Sequence, residues 1–423
     1  MLLFISMTVT RNHDAEPRTP KIGGPGTLAM LGPAFVAAVA YVDPGNVAAN
    51  LTAGAKFGYL LVWVLVAANL MAVLIQFLSA KLGLVTGASL PEQLGRRLRP
   101  NSRRAFWVQA EVVAAATDLA EVIGGAIALH LLFGLPLVLG GFITGAVSMA
   151  ILTIQNRRGQ RTFEFVVIGM LAIITIGFVS GLAFTDVSPS EALAGVVPRF
   201  HGSETVLLAA SMLGATVMPH AIYLHSALAR DRHGHTTDPG KLRNLLRITK
   251  FDVVAALLIA GSVNIAMLLL AASALRGQDG TDTIEDAHSA IEGALGPGIA
   301  VVFAVGLLAS GLASTSVGCA AGAEIMKGLL AFRVPLLTRR VVTLIPALAI
   351  LSIGVDPTSA LVVSQVVLSF GIPFALVPLV RMTSDATLMG GFRNAVTTTA
   401  VAWLVAGVII ALNVALLWLT FAG

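Results

Sequence analysis

Two short stretches of this chain combine side chains able to bind metal with residues that break helices. In Asp43-Pro44-Gly45-Asn46 a carboxylate and an amide flank a proline and a glycine, and in Met218-Pro219-His220 a thioether and an imidazole flank a second proline. Proline removes a backbone donor and its ring clashes with the preceding turn, while glycine adopts angles that other residues avoid, so each stretch predicts a helix unwound locally. Unwinding frees carbonyl groups, here near Ala40 and Ala215, from their helical partners. Asp43, Asn46, Met218 and these carbonyls offer a mixed shell of hard oxygen and soft sulfur. Calcium and magnesium take oxygen alone, whereas a thioether suits ferrous iron, cadmium and, more weakly, manganese. A plainer reading makes Met218 packing and Asp43 the cap of the half-helix that follows. That reading accounts for a lone methionine, but it leaves unexplained an ionisable group at a depth where charge is costly.

The depth follows from composition. Of the 423 residues, 56% are hydrophobic and 12% charged, and the mean hydropathy is +0.88, which marks an all-α polytopic membrane protein. A window of about 20 residues places spans near 28–55, 59–80, 105–132, 136–154, 163–184, 205–229, 251–275, 297–326, 341–355, 358–380 and 395–420. Both breaks fall within spans, the first and the sixth, and unwound backbone at bilayer depth survives only where it lines a protein cavity. Pro44 and Pro219 are 175 residues apart, with five spans per interval. An odd number of spans per repeat turns the second copy upside down, which is the LeuT-like inverted-repeat plan of five plus five spans, with an eleventh appended. The expected organisation is a cytoplasmic tail at 1–24, a first repeat at 25–185, a second at 200–380 and the last span at 395–420.

Charge sets the orientation. Of the 27 lysines and arginines, 24 fall in the tail and in the segments 81–104, 155–161, 230–250, 327–340 and 381–393, leaving Lys56, Arg199 and Arg276 on the other side. That side also holds Asp279, Asp282, Glu285, Asp286 and Glu292. The basic side is cytoplasmic, which puts the N-terminus inside and the C-terminus outside in an inner cell membrane. The scatter of basic residues in short blocks argues against nucleic acid as a partner. One cysteine, Cys319, leaves no disulfide framework, and no removable signal peptide is evident.

Span three carries Glu111, Asp118 and Glu121 in an otherwise apolar helix, and the last two share a face. Each charge at depth costs about 2.5–3.5 kcal/mol on insertion scales, so the pair needs partners or a wet path. Arg339 and Arg340, at the inner start of span nine, are candidate partners, and a static ion pair bracing spans three and nine is the structural alternative. Asn69 and Asn264 are placed to hydrogen-bond across the bundle.

Gly32-Pro33-Ala34-Phe35 running into Ala40-Tyr41-Val42-Asp43-Pro44-Gly45-Asn46, followed by Ala53-Gly54-Ala55, closely resembles the first helix of the Nramp family of proton-coupled divalent metal transporters. Gly214-Ala215-Thr216-Val217-Met218-Pro219-His220 with Tyr223-Leu224-His225-Ser226 is similar to its sixth, and the likeness extends over 25–420 in order and span count. The resemblance implies metal ligation by Asp43, Asn46 and Met218 with help from the carbonyls of Ala40 and Ala215. It implies that His220 assists near the site, that Gln365 on span ten joins when the site is occluded, and that the acidic third span is a proton route toward the cytoplasm. One departure is visible. Gly311-Leu312-Ala313-Ser314-Thr315, taken as the loop after span eight, has Leu312 where many relatives have glutamine.

Other chemistry is poorly supported. His220 and His225 lack the spacing and the glutamate of a zinc protease, and His233 and His235 fit a solvated cytoplasmic loop. With no phosphate-binding loop, dinucleotide fingerprint or nucleophile elbow, the chain is not expected to be an enzyme or to hold a cofactor. The expectation is a monomeric secondary transporter importing Mn2+ or Fe2+ with H+ across the lipid bilayer. A LeuT-like carrier of another solute and a passive divalent-metal channel are the alternatives. In the first, Asp43 at the break repels a carboxylate substrate, and a channel needs a continuous pore.

Overall fold

The structure is a computed structural model that describes residues 32–277, 283–331 and 335–422. The tail at 1–24, the start of the first repeat at 25–31 and the acidic residues Asp279 and Asp282 lie outside the described residues. The described chain is helical throughout. Its first interrupted element comprises α1 (Pro33–Val39), a 3-10 turn over Ala40–Val42 and α2 (Pro44–Phe57). Then come α3 (Val62–Thr86), the short α4 (Leu90–Arg97), α5 (Pro100–Phe133), α6 (Leu137–Arg158), α7 (Gln160–Val179) and the small α8 (Pro189–Ala194). A second interrupted element is α9 (Ser203–Thr216) followed by α10 (Pro219–His233). The remainder is α11 (Pro239–Ala274), α12 (Ile284–Leu295), α13 (Pro297–Leu330), α14 (Leu336–Ser352), α15 (Pro357–Ser384), α16 (Ala386–Met389) and α17 (Val396–Ala422).

Nine helical stretches among the described residues are long and apolar enough to cross a membrane. Two features separate this number from the eleven expected. A 3-10 turn joins α2 to α3, so Pro44–Thr86 is one continuous stretch, and α14 is only 17 residues long. At 1.5 Å per residue, α5 and α13, each of 34 residues, are about 50 Å long, more than the roughly 30 Å of a hydrocarbon core, so their ends project into polar surroundings.

Position in the bundle follows burial. The apolar windows of α5 and of the α9–α10 pair are 78% buried inside the protein, against 33% for α17, which therefore lies at the periphery. The main apolar cluster joins residues of α1, α2 and the turn between them to α5, α7, α10, α11 and α13. The most extensive contact in the molecule is between α5 and α13, and small residues make it possible. A Cβ added at Gly311 would lie 2.9 Å from the backbone nitrogen of Gly125 and 3.0 Å from the carbonyl oxygen of Glu121. Small residues let backbones approach in lipid, where no hydrophobic effect drives helices together.

The same observation corrects the reading of Gly311–Thr315. These residues lie in the middle of α13, not in a loop after it. Glycine, alanine, serine and threonine look like loop formers by solution propensities, but in a membrane bundle they mark the face where two helices meet. His233 is likewise the last residue of α10 rather than part of the loop, with Gly234 at φ 70° ending the helix.

Filling the α5–α13 contact tests its importance. Gly311→Leu is expected to cost about 1–3 kcal/mol through overpacking, visible as a lower melting temperature in detergent. Gly407→Leu, at a position on α17 with open space around it, leaves the melting temperature unchanged.

Candidate metal site

The first interruption is built around Asp43. After the turn at Ala40–Val42 the chain extends at Asp43 (φ −73°, ψ 167°), and α2 starts with Pro44. Proline suits that first helical position, where its missing N–H would have no helical acceptor. One carboxylate oxygen, Oδ1, accepts the backbone N–H of Asn46 at 2.8 Å and so caps α2. The other, Oδ2, is buried without a hydrogen-bond partner. Capping and ligation are therefore not rival readings of Asp43, because each needs a different oxygen.

The second interruption mirrors it. α9 ends at Thr216, Val217 (φ −95°, ψ 81°) and Met218 (φ −77°, ψ 118°) leave helical geometry, and Pro219 starts α10. Met218 is fully buried and makes no cap with its side chain, so its thioether takes no part in ending the helix. His220 sits in the first turn of α10, with both ring nitrogens buried and without hydrogen-bond partners.

Asn46 ties the two interruptions together. Its amide nitrogen donates to Asp43 Oδ1 at 2.8 Å and to the carbonyl of Ala215 at 2.9 Å, and the Thr216 hydroxyl donates to its Oδ1 at 3.3 Å. A donor bridging a carboxylate and a carbonyl occupies the kind of position that a small cation would take. The freed carbonyls of the first turn are treated unequally. Tyr41 accepts from the Asn264 amide at 2.7 Å, Asn264 in turn accepts from Asn50 at 2.8 Å, and the Ser310 hydroxyl donates to Val42. Among the described residues no side chain donates to the Ala40 carbonyl.

Gln365, on α15, reaches this region over Gly45. A Cβ at Gly45 would lie 1.8 Å from the Gln365 amide nitrogen and 3.3 Å from Asp43 Oδ2, so only glycine permits the approach. Both polar ends of the Gln365 amide are buried and unpartnered. Asp43 Oδ2 and the Gln365 amide thus lie near Gly45 without hydrogen-bond partners, and the His220 ring, two residues after Met218 at the start of α10, has none either. No three of His, Cys, Asp and Glu gather into a metal cage among the described residues. A site here is instead a mixed one, with a single carboxylate.

The acidic residues of α5 have different surroundings. Asp118 Oδ1 accepts from both Arg340 and the Thr315 hydroxyl, and Arg340, wholly buried, also donates to Ser148 at 2.6 Å. This cluster joins α5, α6, α13 and α14. Arg339 pairs with Glu111, its Nη1 lying 2.7 and 3.0 Å from the two oxygens. The two arginines thus separate between Asp118 and Glu111. Glu121 takes neither, and both of its oxygens are buried without hydrogen-bond partners.

Some polar residues escaped the sequence reading. Gln76 donates to the Tyr41 hydroxyl at 2.7 Å and meets His225 Nδ1 at 2.8 Å, linking α3 and α10 to the first interruption. Asp252, on α11, accepts the backbone N–H groups of Gly32 (3.3 Å) and Ala34 (3.1 Å), so a carboxylate from another helix caps α1. Thr216, Ser310 and Thr315 belong with these. Their common signal is a polar side chain inside an apolar helix, which in a membrane calls for a partner. Asn69 packs against Gly261 and makes no hydrogen bond among the described residues.

The profile of the family described as Nramp, natural resistance-associated macrophage protein-like, matches residues 34–419. A Mycobacterium tuberculosis protein named divalent metal cation transporter MntH is 62% identical over 395 residues, covering 93% of this chain and 92% of the relative. A Bacillus subtilis protein of the same name is 47% identical over 399 residues, covering 94% and 93%. A crystal structure of the Eremococcus coleocola manganese transporter superposes with a TM-score of 0.84 at 31% identity, covering 92% of this chain and 86% of that one. Mhp1, a nucleobase-cation-symport-1 family transporter, matches with a TM-score of 0.59 at 17% identity over 92% and 91% of the two chains, a likeness of fold alone. The chain belongs to the Nramp family, whose curated relatives are named as transporters and not as enzymes.

Proposed function

We propose that this protein imports divalent transition-metal ions, Mn2+ or Fe2+ and with them ions such as Cd2+, together with protons. The observation that carries the reading is the divided carboxylate of Asp43, one oxygen holding the helix start and the other uncommitted, with Asn46 bridging the carboxylate to the Ala215 carbonyl and Gln365 approaching over Gly45. The names of the MntH relatives and of the manganese transporter agree with a divalent metal as substrate. In this reading Asp43, Asn46, Met218 and the Ala40 and Ala215 carbonyls replace part of the ion's water shell, and Gln365 joins as the site closes. The Asn46 amide must then turn its oxygen toward the ion. The arrangement carrying this site is the eleven-span one, with two inverted five-span repeats at 25–185 and 200–380 and an added span at 395–420. The N-terminus is inside and the C-terminus outside an inner cell membrane, and the protein works as a monomer.

Proton coupling follows from the same atoms. A proton and a dication compete for one carboxylate, and an adjacent imidazole such as His220 tunes that competition. The proton leaves through α5, by way of Glu121 and Asp118 toward Glu111, with Arg339 and Arg340 alongside. Uptake into proteoliposomes with and without an imposed pH gradient tests the whole reading. Metal-driven acidification of the lumen is the expected result. Metal entry without proton movement would leave a passive channel, and no metal entry would point to a carrier of another solute.

Four substitutions separate the parts. Met218→Ala leaves an oxygen-only shell, so Mn2+, Fe2+ and Cd2+ bind more weakly while uptake of Ca2+ or Mg2+ improves relative to them. Competition uptake reads the change, and retained discrimination against Ca2+ would reduce Met218 to packing. Asp43→Asn removes the only carboxylate of the site. Calorimetry should show a loss of Mn2+ affinity beyond the roughly 10–100-fold that losing a mere outer partner costs, and near-normal affinity in folded protein would overturn the site.

Asp118→Asn and Glu121→Gln test the proton route. Both are expected to keep substantial Mn2+ binding yet lose proton flux or its coupling to metal entry, read with metal and pH dyes in the same liposomes. For Asp118, which pairs with Arg340, a brace predicts something else: a large fall in melting temperature with coupling intact.

A further inference from the structure

Lys56, Arg199 and Arg276 are the three basic residues that the charge pattern leaves apart from all the others, and the fold collects them at one place. They come from the last turn of α2, the segment after α8 and the segment after α11, and together they line a cavity of 430 Å³. His201 lines it as well, and Glu191 is the one carboxylate in its wall. Lys56 meets Glu204 and Arg276 meets Glu191, both at 3.4 Å and both between exposed side chains, a kind of pair that contributes little and yields readily to a better anion. Among the described residues no carboxylate lies within 4.0 Å of the Arg199 guanidinium.

A second observation concerns what surrounds this cavity. Phe57, Tyr59, Leu60 and the 47% exposed Phe200 line it, and Leu193 and Val197, 72% and 60% exposed, lie on the same stretch of chain as the lining residues Ala194, Arg199 and Phe200. Trp63 fixes this rim, stacking edge-on against Phe200 with ring centres 5.3 Å apart and donating its indole N–H to the Arg199 carbonyl at 3.3 Å. Aromatic side chains of this kind gather where a bilayer meets water. A cationic cavity with an exposed apolar and aromatic rim matches a molecule that is anionic at one end and hydrocarbon at the other.

We propose that this cavity binds the phosphodiester headgroup of an anionic phospholipid such as phosphatidylglycerol, with its acyl chains along the Leu193–Phe200 rim. A zwitterionic headgroup brings a cation of its own into a wall that already holds three. Inorganic phosphate offers the charge but nothing to cover the rim. The inference is independent of the transport reading, since it uses none of the residues assigned to metal or proton.

Trp63 supplies a local reporter. With Trp107, Trp403 and Trp418 replaced by phenylalanine, the protein is placed in nanodiscs containing phosphatidylglycerol or phosphatidylcholine brominated in the acyl chains, and quenching of Trp63 is titrated. Brominated phosphatidylglycerol should be preferred by at least about fivefold, and Arg199→Gln and Arg276→Gln should each lower that preference by about fivefold, as expected for one basic residue near an anionic surface. Arg199→Lys should keep most of it, which separates loss of charge from loss of fold. Arg104→Gln, at the cytoplasmic end of α5, should leave it unchanged. Equal quenching by the two lipids, or a preference indifferent to Arg199 and Arg276, would overturn the proposal. So would abolition of the preference by excess inorganic phosphate at constant ionic strength, which would assign the cavity to the free ion.

Discussion

The constraint on which the rest of this structure depends is the division of labour within one carboxylate. At bilayer depth a helix cannot be interrupted unless its exposed N–H and carbonyl groups find partners, because water is not there to supply them. Asp43 satisfies the start of α2 with one oxygen and keeps the other uncommitted. If both oxygens served the helix, neither would be left for a ligand. If neither did, the unwound turn would carry unsatisfied donors in an apolar interior, at a cost of about 1–3 kcal/mol each.

The neighbouring helices complete the same accounting. Asn264 and Ser310 take the carbonyls of Tyr41 and Val42, and Asp252 takes the N–H groups at the start of α1, so three side chains from two helices, α11 and α13, hold the first interrupted helix. Each is a side-chain bond to backbone, which fixes position without forming a continuous helix. Such a segment is held by a handful of discrete contacts, and discrete contacts can be exchanged one for another as a segment tilts. By contrast α5 and α13 meet backbone to backbone at Gly125 and Gly311, a contact with no such freedom. The molecule thus sets tightly packed long helices beside interrupted ones held by polar bonds.

Much of this was legible in the sequence, for identifiable reasons. Proline and glycine beside Asp43 and Met218 announce the interruptions because their effects are local and do not depend on the partner helix. What stayed hidden depends on which helix lies opposite. Nothing in the chain says that Arg340 meets Asp118 while Arg339 meets Glu111, since adjacent residues on a helix point about 100° apart and either could have faced either acid. Gly311–Thr315 was misread because its small residues have a different meaning in lipid than in water. The bonds from Gln76, Ser310 and Thr216 were invisible for a related reason: a polar residue in an apolar run declares that it needs a partner, but not which one.

Buried charge is handled in two ways within the same bundle, and the difference bears on which parts can move. Arg340 is completely enclosed and bound to Asp118 and Ser148, so separating α14 from α5 would leave a guanidinium and a carboxylate unpaired in an apolar interior. Breaking such a pair by removing one partner costs about 3–5 kcal/mol. Glu121, three residues along α5 from Asp118, has no hydrogen-bond partner to lose, and its carboxyl group can exchange a proton without undoing a helix contact. One helix thus carries both kinds of acid, one bonded across to its neighbours and one left unbound. Their placement on one face of one helix puts the unbound carboxyl group beside the bonded cluster that joins four helices.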